Sequence, residues 1–460
     1  MIQLLNICNI SNRKSKYLLL TFLFSTSCFS SSEINSLIEQ NKLYENAYWS
    51  KLLHYRNGSS EIDSNNFFIS KDGKTDLKKE LFETINSLES GQNDVLCRFP
   101  LRVKWLKQNI PQLKKNIVPY SCPKLNEYLG AIDAKQVTMV FPTAHINSPA
   151  SMYGHTFLRV SSDEETPLIS NAINYAAKTT DTNGFIFAYK GLFGEYEGRY
   201  SILPYYEKIK EYNNLEQRDI WEYDLDLKQD EIDRLVLHAY ELKDVYSDYF
   251  FFKENCSYNI LWLLEIARSD LDLVSHFSLK TVPLDSIKIL KPYNLIKDSK
   301  FRYSSMKKMK HILEEKIENK EYLDSFVNDN EPLNEDLSID DKISYLDFKI
   351  SYLQYQRANN EYDKKEYLSK YLELLKQRST YNQSSNYDIK APKNPLGSHD
   401  SARVSFYYNS DDSFELSAKP VYHDIYDISD GYLQGAYIDF FDINIKKEKD
   451  ENIKLDRFTL

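Results

Sequence analysis

A histidine and a cysteine stand at two places in the sequence where their side chains could act together. His155 follows a glycine in the segment Ser151–Leu158, at the start of a stretch with the alternation of a strand. Cys256 follows Asn255 and opens a strongly apolar helical segment. The positive end of a helix dipole favours a thiolate, and a nearby imidazole lowers the thiol pKa further and carries the proton. The pair predicts thiol attack on a carbonyl carbon.

Two further roles are needed for this chemistry. A polar group must orient the imidazole, and Asn174 on the following strand is the candidate, with Asn171 the rival on the opposite face under strict alternation. Asn255 is a good N-cap residue, so the backbone N–H of Cys256 next to it would be one donor to an oxyanion. The sequence does not name a second donor.

Other interpretations of the same residues stay open. A cysteine in an apolar helix is usually a small buried hydrophobe, and a histidine on a strand commonly has a structural role. A metal site built from His145, His155 and Cys256 lacks the spacing typical of metal ligands. The serine nucleophile elbow, the zinc-protease helix motif, the Walker loop, the Rossmann fingerprint and the Cys-x-x-Cys pair are absent from the sequence. We therefore expect no metal ligands and no cofactor.

Composition limits the classes of partner. The chain has 460 residues, 27% of them charged, and a formal net charge of −10, which is the composition of an ordinary globular protein. A net acidic chain is a poor nucleic-acid binder, because binding to phosphates needs a basic face. We expect no nucleic-acid partner.

The first residues are typical of an export signal. Arg13, Lys14 and Lys16 precede the short apolar run 17–24 and then small residues, which predicts a signal peptide over 1–28. Cys28 lies at the expected cleavage point in a partial match to a lipoprotein box, since Ser25 stands where leucine is usual. Lipidation at Cys28 and plain cleavage around Ser27–Ser31 are both open.

The remaining cysteines predict one disulfide bond. Cys8 would be removed with the signal, which leaves Cys97, Cys122 and Cys256 besides Cys28. In an oxidising compartment two of these should pair. Cys97 and Cys122 are close in sequence, each beside a helical stretch, so they are the expected pair, and Cys256 is then the odd thiol.

Hydrophobic periodicity predicts an α+β protein with several parts. Residues 32–129 have helical periodicity, 130–290 combine strands with two apolar helices, and 300–380 are charged and helical with a heptad pattern that suggests a hairpin. Residues 395–460 alternate as in an antiparallel β-rich module. The chain stops inside an expected strand, so this module is expected to be either small or incomplete.

Several motifs resemble one bacterial envelope family, the Lnb N-terminal periplasmic domain family, which is largely uncharacterised. The motifs are Phe141–Arg159, Asn174–Ala177, Tyr189–Gly194, Arg218–Tyr223 and Asn255–Tyr258, in that order. The stretches around Cys97 and Cys122 are similar to the helical region that precedes that domain. Residues 395–403 resemble the start of the β-rich module that follows it. The resemblance implies a periplasmic protein of a Gram-negative bacterium.

A second resemblance bears on mechanism. A histidine on an early strand, a polar residue on the next strand and Asn-Cys opening a later helix are similar to the circularly permuted papain-like hydrolases, which include NlpC/P60-like and LRAT-like proteins. It implies that Cys256 is the nucleophile, His155 the base and Asn174 the orienting residue, although the third position in that group is often histidine. It also implies a permuted papain-like domain over 130–290.

Together these patterns predict an exported cysteine hydrolase or acyltransferase. Its substrate would be an amide or ester in the cell envelope: a peptidoglycan peptide, a lipoprotein or a lipid acyl group. The expected location is the periplasm or the periplasmic face of the outer membrane, with association through a lipid or the C-terminal module. The alternative is a non-catalytic envelope protein that uses the same scaffold for binding.

Overall fold

The structure is a computed structural model, and it describes residues 31–117, 120–145, 152–162, 167–181, 183–328, 331–359, 361–385, 387–449 and 451–459. The expected signal peptide over 1–28 and Cys28 lie outside the described residues. The structure combines helices with antiparallel sheets, which confirms the α+β class.

The first part of the chain is mainly helical. Its helices are α1 (Ser31–Asn41), α2 (Ala47–Leu52), α3 (Leu77–Glu89), α4 (Asn93–Arg98), α5 (Pro100–Asn109), α6 (Leu113–Asn116) and α7 (Pro123–Ile132), with a small ladder of β1 (Tyr55–Arg56) and β2 (Ser59–Ser60). An ion pair between Arg102 and Glu80, with both side chains fully buried, ties α5 to α3. Glu80 also accepts hydrogen bonds from the backbone N–H groups of Ile69 and Ser70, so the buried carboxylate is well satisfied.

A seven-stranded antiparallel sheet follows. Its strands are β3 (Gln136–Pro142), β4 (Phe157–Ser161), β5 (Asn171–Lys178), β6 (Tyr196–Pro204), β7 (Ile220–Leu225), β8 (Ser247–Tyr249) and β9 (Ile296–Arg302). Their order across the sheet is β8-β6-β5-β4-β3-β7-β9. The helices connected to these strands are α8 (Gly184–Phe193), α9 (Tyr205–Ile209), α10 (Gln229–Leu242), α11 (Cys256–Ala267) and α12 (Pro283–Lys288).

The two faces of β4 pack differently, because successive side chains of a strand point to opposite sides. Leu158 and Val160 belong to the main hydrophobic core, into which α10 and α11 also pack. Phe157 belongs to a smaller cluster on the other face, and Arg159 is buried there with Glu222. The strand that follows His155 is therefore fixed from both sides.

One hydrophobic core joins the N-terminal helices to the sheet. The main cluster of buried residues runs from Ile34 in α1 through Leu158 in β4 and Leu264 in α11 to Ile438 near the C-terminus. The helical region expected over 32–129 and the domain expected over 130–290 thus share a core.

Charged helices follow the sheet, and they form a cluster of their own. They are α13 (Ser305–Glu315), α14 (Lys320–Asn328), α15 (Ile339–Ala358) and α16 (Lys364–Ser379). The heptad pattern expected in this part is carried in α15 by Ile343, Leu346, Ile350 and Leu353, which are all buried. Helices α15 and α16 pack together in this second cluster, and residues 300–302 belong to β9 instead.

The last described part is rich in strands. These are β10 (Arg403–Tyr408), β11 (Phe414–Lys419), β12 (Val421–His423), β13 (Ile438–Phe440), β14 (Asp442–Lys447) and β15 (Lys454–Thr459). Four of them form an antiparallel sheet in the order β10-β11-β14-β15, and β12 pairs with β13. Across the described residues, no helix is both long and apolar enough to span a bilayer.

Candidate active site

Cys256 is the first residue of α11, and Asn255 is its N-cap. The side-chain oxygen of Asn255 accepts hydrogen bonds from the backbone N–H groups of Ser257 (3.1 Å) and Tyr258 (3.2 Å). Such a cap satisfies N–H groups that the first helical turn leaves without partners. The thiol therefore lies at the positive end of a twelve-residue helix that is buried along its whole length.

The amide nitrogen of Asn255 is also fully engaged. It donates to the carbonyl oxygens of Phe251 (2.9 Å) and Thr281 (2.6 Å), which lie on the two chain segments beside the helix start. With both of its polar atoms used in this way, Asn255 positions Cys256 and does not offer its own amide to an oxyanion.

His155 lies two residues before β4, and Asn174 lies on the neighbouring strand β5. Nε2 of His155 is 2.9 Å from the side-chain oxygen of Asn174. An amide oxygen can only accept a hydrogen bond, so Nε2 carries the proton and the lone pair is on Nδ1. The backbone N–H of His155 donates to the carbonyl oxygen of Pro142 (3.2 Å), which attaches the residue to β3 as well.

The rival residue Asn171 lies at the other end of the contact between β4 and β5. It pairs with Val160 in the β4 register, whereas Ile173 already pairs with Leu158 nearer to His155. Strict alternation puts Asn171 and Asn174 on opposite faces of the strand. The structure therefore brings Asn174, and not Asn171, to the histidine.

The surroundings of the Cys256 thiol lower its pKa. Burial alone would raise it, but the charge of His155 and a hydrogen bond with that imidazole lower it, with smaller contributions from the Thr156 backbone and the Ser257 hydroxyl, to about 7. The Ser257 hydroxyl is 3.8 Å from the sulfur and 2.8 Å from the Thr156 hydroxyl. A thiol with this pKa is about half ionised at neutral pH.

Two buried tyrosines, Tyr249 and Tyr212, also lie beside the thiol, and no pattern in the sequence pointed to either of them. Tyr249 on β8 contacts Cys256 through hydrogen bonds with both its backbone and its thiol, and burial followed by the charge of Cys256 raises the phenol pKa well above its ordinary value. The ring of Tyr212 packs against that of His155, with 5.6 Å between centroids. The Tyr249 phenol stays protonated and lies beside the sulfur and the backbone N–H of Cys256. It is therefore a candidate for the second oxyanion donor.

The C-terminal module lies against the segments that carry His155 and Cys256. Tyr432 packs edge-on against Tyr153, two residues before His155, with ring centroids 6.1 Å apart. Phe252, four residues before Cys256, packs against Phe440 at 5.2 Å. The C-terminal module thus forms one wall beside the candidate site.

Two further sequence expectations concern cysteines and metals. Cys97 and Cys122 form a disulfide bond, as predicted, and Cys256 is a free, buried thiol. His145 lies near Glu216 and Arg218, where burial is the main cause that lowers its pKa. Within the described ranges, ligand atoms of His145, His155 and Cys256 do not come together as a group that could hold a metal ion.

Comparisons with family models divide the chain into three matched segments. The Lnb N-terminal periplasmic domain matches residues 124–293, which include His155, Asn174, Asn255 and Cys256. Two domains of unknown function match the flanking parts: DUF7843 covers residues 41–109 and DUF7840 covers residues 392–460. No curated protein and no solved structure matches the chain.

Proposed function

Since residues 124–293 form an Lnb N-terminal periplasmic domain, we propose that the protein is an exported cell-envelope cysteine hydrolase or acyltransferase. The periplasmic family supports the location, and the chemistry is our inference. It rests on one observation: at the start of a capped helix, the Cys256 thiol is close enough to the His155 imidazole, which contacts Asn174 through Nε2, for that imidazole to lower the thiol pKa to about 7.

The first half-reaction would transfer an acyl group to the sulfur. Nδ1 of His155 takes the thiol proton, and the thiolate of Cys256 adds to the carbonyl carbon of an amide or ester. The Cys256 N–H and the Tyr249 phenol, which bond to each other before substrate enters, would both turn to donate hydrogen bonds to the oxyanion. As the carbon–nitrogen or carbon–oxygen bond breaks, the imidazolium returns its proton to the leaving amine or alcohol, which leaves a thioester.

The second half-reaction would release the acyl group. His155 removes a proton from a water molecule, or from the amine or hydroxyl of an acceptor, which then attacks the thioester carbonyl. The sulfur leaves as a thiol when the proton is returned. Water gives a hydrolase and another acceptor gives an acyltransferase, and the same residues serve both.

The chain order of these groups supports a permuted papain-like arrangement. His155 precedes the strand β4, Asn174 lies on β5, and Cys256 opens a later helix that packs on the same sheet. The antiparallel sheet and a buried helix with the thiol at its N-terminus are the features on which this part of the proposal depends.

The envelope substrate would be a peptidoglycan peptide, a lipoprotein or a lipid acyl group. The surface of α8 favours substrates with an apolar chain, since Phe185 is 82% and Phe193 63% exposed. This helix is joined to the site, because the carbonyl oxygen of Gly191 accepts a hydrogen bond from the N–H of Phe251 (2.8 Å), whose carbonyl in turn holds Asn255.

Acyl-enzyme formation is the direct test. The mature protein is mixed in separate reactions with a diacyl phospholipid, an acylated lipopeptide and a muropeptide, and its intact mass is followed. We expect a hydroxylamine-sensitive mass increase on Cys256 with one of the three classes, and none in Cys256→Ala. If no class acylates the folded wild-type protein, or if Cys256→Ala is modified equally, the proposed activity is wrong.

A second candidate is a non-catalytic envelope protein with a binding role. The observation that favours it is the burial of Cys256, which is only 4% exposed. A thiol that remains covered should resist iodoacetamide until the protein is denatured. Labelling of Cys256 in the folded protein at neutral pH would instead favour the enzyme.

A further inference from the structure

Two histidines and a carboxylate that have no part in the proposed cysteine chemistry meet in the C-terminal module. Ligand atoms of His399, His423 and Asp427 all lie within 4.8 Å of one another. Nε2 of His399 is 2.8 Å from Nδ1 of His423. His423 is 1% exposed, and the other two residues are half-buried, so the cluster is open to solvent on one side.

The protonation state of His399 is set by its neighbour. Its Nδ1 is 2.7 Å from the backbone carbonyl oxygen of Asp400, and a carbonyl oxygen can only accept. Nδ1 therefore carries the hydrogen, and the lone pair of Nε2 points toward His423. A backbone carbonyl on the far nitrogen is the usual outer partner of a metal-ligating histidine.

The carboxylate of Asp427 is held in place as well. One of its oxygens accepts a hydrogen bond from Arg403, and the other accepts from the backbone N–H of Asp424 (3.1 Å). Each oxygen keeps acceptor capacity, since a carboxylate has about four lone-pair sites. With Asp424 nearby, two carboxylates face one guanidinium, so the local charge is suited to a cation.

We propose that His399, His423 and Asp427 bind a divalent first-row transition metal ion of the Zn²⁺ type. The ligands would be Nε2 of His399, Nδ1 of His423 and a carboxylate oxygen of Asp427, with water completing the coordination. Two imidazoles and one carboxylate are a donor set typical of such ions and not of Ca²⁺ or Mg²⁺, which prefer oxygen ligands.

Metal binding requires that Nδ1 of His423 lose the hydrogen that it donates to Nε2 of His399, and that the two rings move slightly apart. Two nitrogens bound to one tetrahedral ion at about 2.0–2.1 Å are roughly 3.4 Å apart, so the 2.8 Å pair must open by about 0.6 Å. His399 lies in a half-exposed loop and can supply this movement. His423 is fixed on β12, with its ring stacked on Tyr432 at 3.9 Å between centroids.

The proposed ion would also fix the module to the rest of the protein. Tyr432 stacks on the rings of both His423 and His399, and it also makes a T-shaped contact with Tyr153. An ion that links His399 to His423 would hold this stack together. The proposal does not depend on the activity of Cys256.

Metal titration of the full mature chain tests the site. The protein is prepared in a Cys256→Ser background, so that the thiol cannot bind the ion, and is stripped of metal. Zn²⁺ is titrated in competition with a chromogenic chelator, and Co²⁺ is followed by its visible absorption. We expect one equivalent of each ion to bind, and the affinity to fall by more than about 10-fold in His399→Asn and in Asp427→Asn.

His276→Asn is the matched control, because His276 is an exposed histidine at the end of a short 3-10 helix in another part of the chain. Circular dichroism of each variant checks its fold, and Asp427→Asn provides the second test if His399→Asn does not fold. The proposal is wrong if the wild-type site binds no ion below about 100 μM. It is equally wrong if His399→Asn and Asp427→Asn both bind as tightly as His276→Asn.

Discussion

The side-chain oxygen of Asn174 lies 2.9 Å from Nε2 of His155, and this contact assigns the proton of the imidazole. The other nitrogen, Nδ1, is then the basic one. A base of this kind depends on its orienting partner, because the partner fixes both the tautomer and the direction of the lone pair.

Replacement of Asn174 should therefore lower the reactivity of the Cys256 thiol without unfolding strand β5. In Asn174→Ala we expect the rate of Cys256 alkylation at pH 7 to fall by roughly 10-fold, as is typical when the hydrogen-bond partner of a functional imidazole is lost. Asn171→Ala is the matched control, being on the same strand but on its other face. Equal effects of the two variants would contradict the assignment.

The pH dependence of alkylation should report the charge of His155. Since the pKa of Cys256 is lowered to about 7, its thiolate is lost as the pH falls through 7, and labelling should slow accordingly. In His155→Ala the pKa should return to about 8.5 or higher, so labelling at pH 6 should fall by at least about 30-fold. Residue-resolved mass spectrometry across pH 5–10 measures both curves, and superimposable curves would exclude the pair.

Tyr249→Phe separates oxyanion stabilisation from thiol ionisation. If the phenol donates to the oxyanion, kcat on the acyl substrate should fall by about 10²–10³-fold. The matched control is Tyr200→Phe, another buried tyrosine, whose hydroxyl donates to the carbonyl oxygen of Asn259 (2.9 Å). If kcat is unchanged in Tyr249→Phe, Tyr249 is not the second oxyanion donor.

Glu61 should make the stability of the protein depend on pH. Burial, followed by the charge of Glu254, raises its pKa to about 7, although the Tyr258 hydroxyl donates to it. A raised carboxyl pKa favours the protonated form in the folded state. The stabilisation is therefore full below about pH 4.5 and is lost as the pH rises through 7, by up to about 3 kcal/mol.

Glu61→Gln removes this dependence. We expect the variant to lose less of its free energy of unfolding than the wild type between pH 5 and pH 8, as measured by denaturant titration. Glu45→Gln, at an exposed glutamate, is the control. If the free energy of unfolding changes by the same amount between pH 5 and pH 8 in the wild type, in Glu61→Gln and in Glu45→Gln, then Glu61 ionises normally.

The disulfide bond should stabilise the helical region without touching the thiol site. Cys97 and Cys122 close a loop with a sequence separation of 25 residues. Loss of such a link costs about 3 kcal/mol of unfolding free energy in the loop-entropy description. The Cys97→Ala/Cys122→Ala variant should show this loss in denaturant titration, while the pH profile of Cys256 labelling stays the same.

Local patterns in the sequence were sufficient to predict part of the candidate site. The cap at Asn255 and the apolar helix after it are decided within a few residues, so they could be read from the chain directly. The α+β class and the strand around Leu158 follow from periodicity in the same way. His155 itself lies just before the strand and not within it.

The remaining features depend on contacts between distant residues. Tyr249 reaches the thiol because β8 pairs with β6 at the sheet edge, where Tyr249 faces Tyr196. A strand of three residues such as β8 is too short for its alternation of apolar and polar residues to be recognised in the sequence. The histidine pair of the C-terminal module likewise depends on a turn that returns β12 to the loop at His399.

The shared hydrophobic core restricts how the segments of this protein can be exchanged by recombination during evolution. Its buried residues come from all three segments that separate family models recognise, from Leu81 in the first and Leu158 in the second to Ile438 in the third. Each segment covers apolar surface of another. Recombination that exchanged one of them alone would place unmatched apolar surfaces together, so selection should act on the three as a single unit.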